Sequence, residues 1–264
     1  MSGRIAGAFA AARAAGRAAF IPYLTAGDPD LDTTKTLVRA LTRGGADIVE
    51  LGVPFSDPIA DGPVNQRAAE RALRTGTTLA RILDLCAELR AGGGPPIVLF
   101  TYYNPIHRLG PAAFAERAAA TGVDGVLVTD LPPEEAGELH ASLAARGIDR
   151  IGLVAPTSTE ARIDTVAAVT SGFLYCISRT GVTGEQAHLP PGLEAQVESV
   201  RRRSGGLPIA VGFGIARREQ VVAVGRFADG VVVGSALVRA IEEAAGAPDL
   251  ASRIEALCRA LAGG

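Results

Sequence analysis

Short, nearly continuous apolar runs recur along the chain, and each is followed by a longer stretch whose apolar positions return every three or four residues. The first pattern predicts buried strands and the second amphipathic helices. Eight runs read as strands: AAFIPYLTAG from Ala18, ADIVELG from Ala46, PIVLFTYYN from Pro96, GVLVTDLP from Gly125, IGLVAP from Ile151, FLYCISRTG from Phe173, PIAVGFGI from Pro208 and GVVVGSAL from Gly230. Helix starts are marked between them. Asp30 precedes a stretch with Leu37, Val38 and Leu41 on one face, Pro132 and Pro133 suit a first helical turn, and Thr157 with Glu160 has capping-box spacing.

Strands this apolar, separated by helices, form a parallel sheet covered on both faces. A doubly wound open sheet shows the same alternation, but eight units over 264 residues favour closure. The predicted fold class is α/β: a single (β/α)8 TIM barrel spanning residues 1–264, with an extra N-terminal helix and enlarged loops after strands two and six. The interval after strand two is the long one. It holds the proline-rich segment VPFSDPIADGP and then two helical patterns, residues 64–74 and 78–90. Loops after strands are where barrels carry their chemistry.

Charge and composition narrow the partners. A net charge of −2 gives no basic footprint for nucleic acid or an anionic membrane. The start, MSGRIAGAFAAARAAGRAAF, is broken by Arg4, Arg13 and Arg17, and reads as an amphipathic helix rather than a signal peptide. No run reaches the ~20 apolar residues of a membrane span. Cys86, Cys176 and Cys258 lack CxxC spacing and read as buried thiols in a reducing compartment, so the expected location is cytoplasmic.

Glycines gather after the last three strands: Gly181 and Gly184, then Gly212 and Gly214, then Gly234 with Ser235. Any one of them is ordinary turn chemistry. Three successive loops at one end of a barrel, with helical patterns following, suit a phosphate held by backbone N–H groups.

Lys35 is the only lysine and sits in a helical pattern, which argues against Schiff-base chemistry and an anchored pyridoxal phosphate. His107, His140 and His188 are scattered, so no metal site is expected. Proton transfer by carboxylates remains. Glu50 ends the apolar run IVEL, where a bare buried carboxylate costs several kcal/mol and must be neutralised, paired or functional; the alternative is a strand-end glutamate turned to solvent. Asp61, in the ADGP turn, is the second candidate against a strong turn reading, and Asp57 and Asp130 have turn or cap readings as well.

The segment ELGVPFSDPIADGP closely resembles the signature of tryptophan synthase alpha subunits. The resemblance continues through GDP (residues 27–29), YYNPI (102–106), VLVTDLPPEE (126–135), SRTGVTG (178–184), GFGI (212–215) and VGSALV (233–238), in order along nearly the whole chain. It implies a lyase that cleaves indole-3-glycerol phosphate to indole and glyceraldehyde 3-phosphate in tryptophan biosynthesis. Glu50 would then be the acid/base group, and Asp61 the partner of the indole N–H. Tyr175 would lie near the catalytic carboxylate and the substrate hydroxyls. Thr183, on the loop after strand six, would close over substrate and contact Asp57. Gly184, Gly214, Gly234 and Ser235 would bind phosphate. Tyr23, Phe100, Leu127, Thr129, Leu153, Phe213 and Val232 would line the indole pocket, although the aliphatic ones read equally well as barrel core.

Two residues depart from the family pattern. Tyr23 replaces a frequent Phe, and Asn65 stands where an apolar residue is usual, which puts an amide near the expected indole edge. The resemblance further implies a beta-subunit partner in an α2β2 complex, facing residues 54–63 and the segment after Tyr102. Pyridoxal phosphate is expected only on that partner, and no cofactor on this chain. The alternatives are a stand-alone lyase of the same fold releasing free indole, another barrel enzyme acting on a related phosphate, and a silent protein that only activates a partner.

Overall fold

The computed structural model describes residues 3–178, 189–212 and 214–263. Among them run nine parallel strands: β1 (Ala19–Thr25), β2 (Val49–Gly52), β3 (Ile97–Thr101), β4 (Gly125–Val128), β5 (Asp149–Arg150), β6 (Gly152–Val154), β7 (Leu174–Ile177), β8 (Ile209–Gly212) and β9 (Gly230–Val233). The helices of the first half are α1 (Arg4–Ala14), α2 (Leu31–Arg43), α3 (Pro63–Arg74), α4 (Leu79–Ala91), α5 (Tyr103–Leu109) and α6 (Pro111–Ala120). Those of the second half are α7 (Gly137–Ala144), α8 (Glu160–Ala168), α9 (Leu193–Arg203), α10 (Arg218–Val224), α11 (Ser235–Glu243) and α12 (Leu250–Ala262). No helix among the described residues is long and apolar enough to cross a membrane.

The strands are hydrogen-bonded in the order β5-β4-β3-β2-β1-β9-β8-β7-β6. The ends of that series, β5 and β6, are adjacent in sequence and separated only by Ile151, so the fifth predicted strand occurs as two segments. The Ile151 N–H donates to the Val126 carbonyl at 2.9 Å, and the Gly152 N–H donates to Phe173 at 3.3 Å. One stretch of chain thus hands its hydrogen bonds from β4 to β7, and the sheet becomes a nearly closed TIM barrel. Eight strand–helix units are present, as the sequence pattern predicts, with the fifth strand broken at the seam.

Side-chain alternation sorts the strands into two apolar layers. Phe20, Leu24, Val49, Leu51, Leu99 and Val231 face outward to the helices. Ile21, Tyr23, Ile48, Val98, Phe100, Leu127, Phe173, Tyr175 and Val232 fill the barrel interior. The predicted N-terminal helix, α1, plugs the end of the barrel where the strands begin. Its Ile5, Phe9 and Ala12 join the interior layer, with Phe9 against Phe173 at 5.4 Å between ring centroids.

At that same end one arrangement recurs three times. Asp47, Asp124 and Asp229 each accept a backbone N–H from the neighbouring strand, from Phe20 at 2.7 Å, Ile97 at 2.9 Å and Ile209 at 2.9 Å. Each also pairs with an arginine: Arg17, Arg4 and Arg201. Strand-start N–H groups and arginines are thereby satisfied together. The barrel floor is a stability device, and the opposite end is left for loops.

Two helix starts differ from expectation. Pro132 and Pro133 lie in a turn, and α7 begins only at Gly137. The cap of α8 is Thr159 rather than Thr157, its hydroxyl accepting the Arg162 N–H at 3.3 Å. Asp30 caps α2 as predicted, accepting the Thr33 N–H at 2.7 Å, and the two helices predicted between strands two and three are α3 and α4.

Candidate active site

Strand alternation places Glu50. In β2, Val49 and Leu51 face the helices, so Ile48 and Glu50 face the barrel interior. Glu50 is 1 % exposed, which rules out a strand-end glutamate turned to solvent. Neither of its carboxylate oxygens has a hydrogen-bond partner among the described residues. Burial without partners disfavours the charge and raises its pKa to about 8. The side chain is therefore a neutral acid at pH 7 with two unoccupied oxygens.

Tyr23 and Tyr175 flank it in the interior. Tyr23 is the register partner of Glu50 across β1 and β2. Its ring meets Phe100 edge-on, 5.5 Å between centroids at 78°. The Tyr23 hydroxyl, the atom that departs from the family pattern, reaches Thr25 Oγ1 at 3.4 Å. Both phenols are held well above their ordinary pKa by burial first and by neighbouring carboxylates second.

Asp61 is buried, although its ADGP setting reads as a surface turn. The Tyr102 hydroxyl donates to Asp61 Oδ2 at 2.9 Å and itself accepts the Ala60 N–H at 3.0 Å. Phe55 stacks on Tyr102 at 5.0 Å and 30°, which fixes that phenol. Asn65, in the first turn of α3, gives Asp61 a second hydrogen bond. Burial raises the Asp61 pKa, and these two donors hold it down in part.

Glu50, Tyr23, Phe100, Tyr175, Val232, Asn65, Gly214, Gly234 and Ser235 line one narrow cavity, open at its mouth. Gly214 adopts φ +83°, a backbone that a side chain would strain, and Gly234 caps α11, whose first residue is Ser235. The start of α11 thus lines the same cavity as the buried acid, a place where helix-start N–H groups suit an anion.

Comparison with known proteins gives this geometry a family. The tryptophan synthase alpha chain family model matches residues 9–263. The chain belongs to that family. The alpha chain of Solibacter usitatus is 50% identical over 245 residues, covering 93% of this chain and 91% of that one. That of Citrifermentans bemidjiense is 51% identical over 244 residues, covering 92% and 91%. Among solved structures, Mycobacterium tuberculosis tryptophan synthase superposes with a TM-score of 0.91 at 38% identity, covering 99% of this chain and 98% of that chain. The Legionella pneumophila alpha subunit gives 0.90 at 37%, covering 99% and 98%. Family membership makes the chain a lyase of tryptophan biosynthesis.

The remaining expected site residues divide three ways. Thr183, Gly184 and Phe213, with Gly181 and His188, lie outside the described residues. Asp57 is exposed on the loop after β2, where it accepts the Ser56 hydroxyl at 2.6 Å. Leu127 is fully buried in the barrel interior but does not line the cavity, and Thr129 and Leu153 line a separate groove beside Pro132 and Arg150. Lys35 stays on the outer helical layer, paired with Glu88 of α4. The bond from Tyr102 to Asp61 is what sequence reasoning missed. The tyrosine's motif stands out in the chain, but the bond crosses 41 positions that no periodicity connects.

Proposed function

We propose that the chain cleaves indole-3-glycerol phosphate to indole and glyceraldehyde 3-phosphate by carboxylate acid/base catalysis. The observation that carries this reading is Glu50, a neutral and unpartnered acid facing the same cavity as Gly234 and Ser235. A phosphate seated on the α11 start leaves the substrate's ring towards Glu50, Phe100 and Tyr23.

Glu50 gives its proton to the ring carbon that bears the glycerol chain. The ring becomes an indolenine with positive charge at nitrogen, and the Asp61 carboxylate stabilises that charge. Glu50, now ionised, takes the proton from the adjacent glycerol hydroxyl. The carbon–carbon bond breaks, its electrons return to the ring, and the hydroxyl carbon leaves as the aldehyde. The ring is the electron sink, so the chain needs no cofactor of its own in this reading. Each proton transfer is typically worth ~10²–10⁴ in rate.

The alpha-chain family supports a beta-subunit partner, here proposed as an α2β2 complex in which the partner carries pyridoxal phosphate. The loop with Asp57 and exposed Ile59, and the segment after Tyr102, are its proposed contacts. Thr183 is proposed to close on Asp57, and Gly184 and Phe213 to complete the phosphate and ring sites. The proposed setting is the cytoplasm, in keeping with three buried free cysteines.

The deciding experiment measures indole release from indole-3-glycerol phosphate by wild type and Glu50→Gln, each with and without a beta subunit. Partner-stimulated release that is lost in Glu50→Gln is expected. No release from wild type with a competent partner overturns the assignment.

A further inference from the structure

Asn65 is buried, 6 % exposed, on the first turn of α3, and it lines the cavity with Glu50 and Phe100. Its Oδ1 has no hydrogen-bond partner among the described residues. The direction of the amide is settled by its neighbour. Asn65 lowers the Asp61 pKa, as a donor to the carboxylate does, and its Oδ1 has no partner, so the Asn65 nitrogen is the atom that faces Asp61. Oδ1 is then the amide atom left for the cavity.

A buried acceptor with nothing donating to it carries its full desolvation cost until a ligand supplies the donor. The phenols nearby do not meet this need: Tyr23 is turned to Thr25, and Tyr102 is committed to Asp61. We propose that Asn65 is a specificity-determining residue whose Oδ1 accepts a hydrogen bond from the ring N–H of the substrate. Its Nδ2 meanwhile ties that contact to Asp61. The ring nitrogen is thus received by an amide–carboxylate pair, and charge developing there is felt by Asp61 both directly and through the amide. A bicyclic ring of the same shape without a donor leaves Oδ1 unpaired and is rejected, because a site built to hydrogen-bond discriminates strongly against the analogue that cannot. This inference rests on the proposed reaction, which supplies the ring N–H.

The test compares binding of 3-(indol-3-yl)propyl phosphate with that of its 1-benzothiophene counterpart, by titration calorimetry on wild type, Asn65→Leu and Asn65→Ser. Wild type is expected to prefer the indole ligand by about ten- to a hundredfold, the scale of one buried unpaired acceptor. Both variants are expected to lose most of that preference. A purely structural role for Asn65 weakens both ligands together and leaves the ratio unchanged. If Asp61 alone accepts the N–H, removing the amide frees a lone pair and the preference stays or rises. Either of these results overturns the proposal while the lyase reading stands. Failure of both ligands to bind wild type overturns the lyase reading and this inference with it. Serine is smaller than asparagine and leucine nearly the same size, so a folding defect peculiar to one variant leaves the other to decide.

Discussion

The Tyr23 hydroxyl occupies the space over Gly52, so that a Cβ built on Gly52 would lie 2.1 Å from the phenol oxygen. Tyr175 and Gly212 repeat the relationship at the same 2.1 Å. In each case the tyrosine on one strand is seated by a glycine on the next, β1 on β2 and β7 on β8. Ring carbons are also close, at 2.6 and 2.8 Å for the first pair. Gly52→Ala is therefore expected to displace the whole Tyr23 ring and to cost about 1–3 kcal/mol, the usual penalty of overpacking. Tyr23→Phe in that background should recover little, since the ring carbons still clash, whereas Tyr23→Leu should recover most of the loss. Urea unfolding of the four proteins checks this, and full rescue by Phe would show that the hydroxyl alone sets the spacing.

Glu50 makes stability depend on pH in an unusual direction. Its pKa is about 8 in the folded chain against an ordinary 4.5. Between those values the unfolded chain has lost the proton and the folded chain retains it, so stability falls as pH rises from about 4.5 to about 8 and then levels. At about 1.4 kcal/mol per unit the loss is on the order of a few kcal/mol. Glu50→Gln has no such loss. It should be inactive yet more stable than wild type at pH 8, with the gain vanishing below about pH 4.5. Thermal melts across that range are the measurement, and a constant difference at all pH values would contradict the buried neutral acid.

The legible part of this protein is the part governed by period. Strand runs predicted the barrel, and the apolar run IVEL marked Glu50 as a carboxylate in a strand built for burial, which the structure then turns to the same side as Ile48. Positions defined by a break in period were not legible. The fifth strand divides at Ile151 because its N–H groups serve two different neighbours, and no residue type announces that. The α8 cap moved from Thr157 to Thr159 because two threonines stand within reach and only backbone geometry selects between them. The cavity wall followed suit. Tyr23, Phe100 and Val232, which the family resemblance supplied, lie on inward strand positions of that wall, while the bond from Tyr102 to Asp61 is made by a loop residue and was not foreseen. Leu127 shares the inward phase but sits in the packed interior, which phase alone does not distinguish.

The Tyr102 hydroxyl opposes the rise that burial imposes on the Asp61 pKa, because a hydroxyl donating to a carboxylate favours ionisation. Tyr102→Phe removes the donor and leaves Asp61 buried with Asn65 as its remaining side-chain donor. The Asp61 pKa then rises further. Under the proposed mechanism the acid limb of the pH–rate profile should shift to higher pH, with activity near neutrality reduced roughly tenfold, as expected for a hydrogen bond to a charged group of about 1.5–3 kcal/mol. An acid limb that stays in place in Tyr102→Phe would separate Asp61 from catalysis.

An ion cluster ties the loop after β1 to α3 and α11. Arg71 grips Asp28 with two bonds of 2.8 Å and reaches Glu242 at 2.6 Å, while Arg67 holds Glu242 through bonds of 2.8 and 2.7 Å. The Arg67 hydrogen bonds, followed by the Arg71 charge, bring the Glu242 pKa down to about 2. Its contribution is thus complete above about 4.5 and lost as pH falls towards 2. The two arginines are not equivalent, because the Asp28 side chain is only 4% exposed. Arg71→Ala strands that buried carboxylate and should cost about 3 kcal/mol, the scale of breaking a buried pair from one side. Arg67→Ala opens a largely exposed, solvent-screened contact and should cost clearly less than Arg71→Ala. Glu242→Gln should flatten the fall in stability between pH 4.5 and 2 while leaving the Asp28 contact intact. Denaturant unfolding at pH 7 and at pH 3 measures all three, and equal losses from the two arginine variants would show that burial of Asp28 does not set the energy of the cluster.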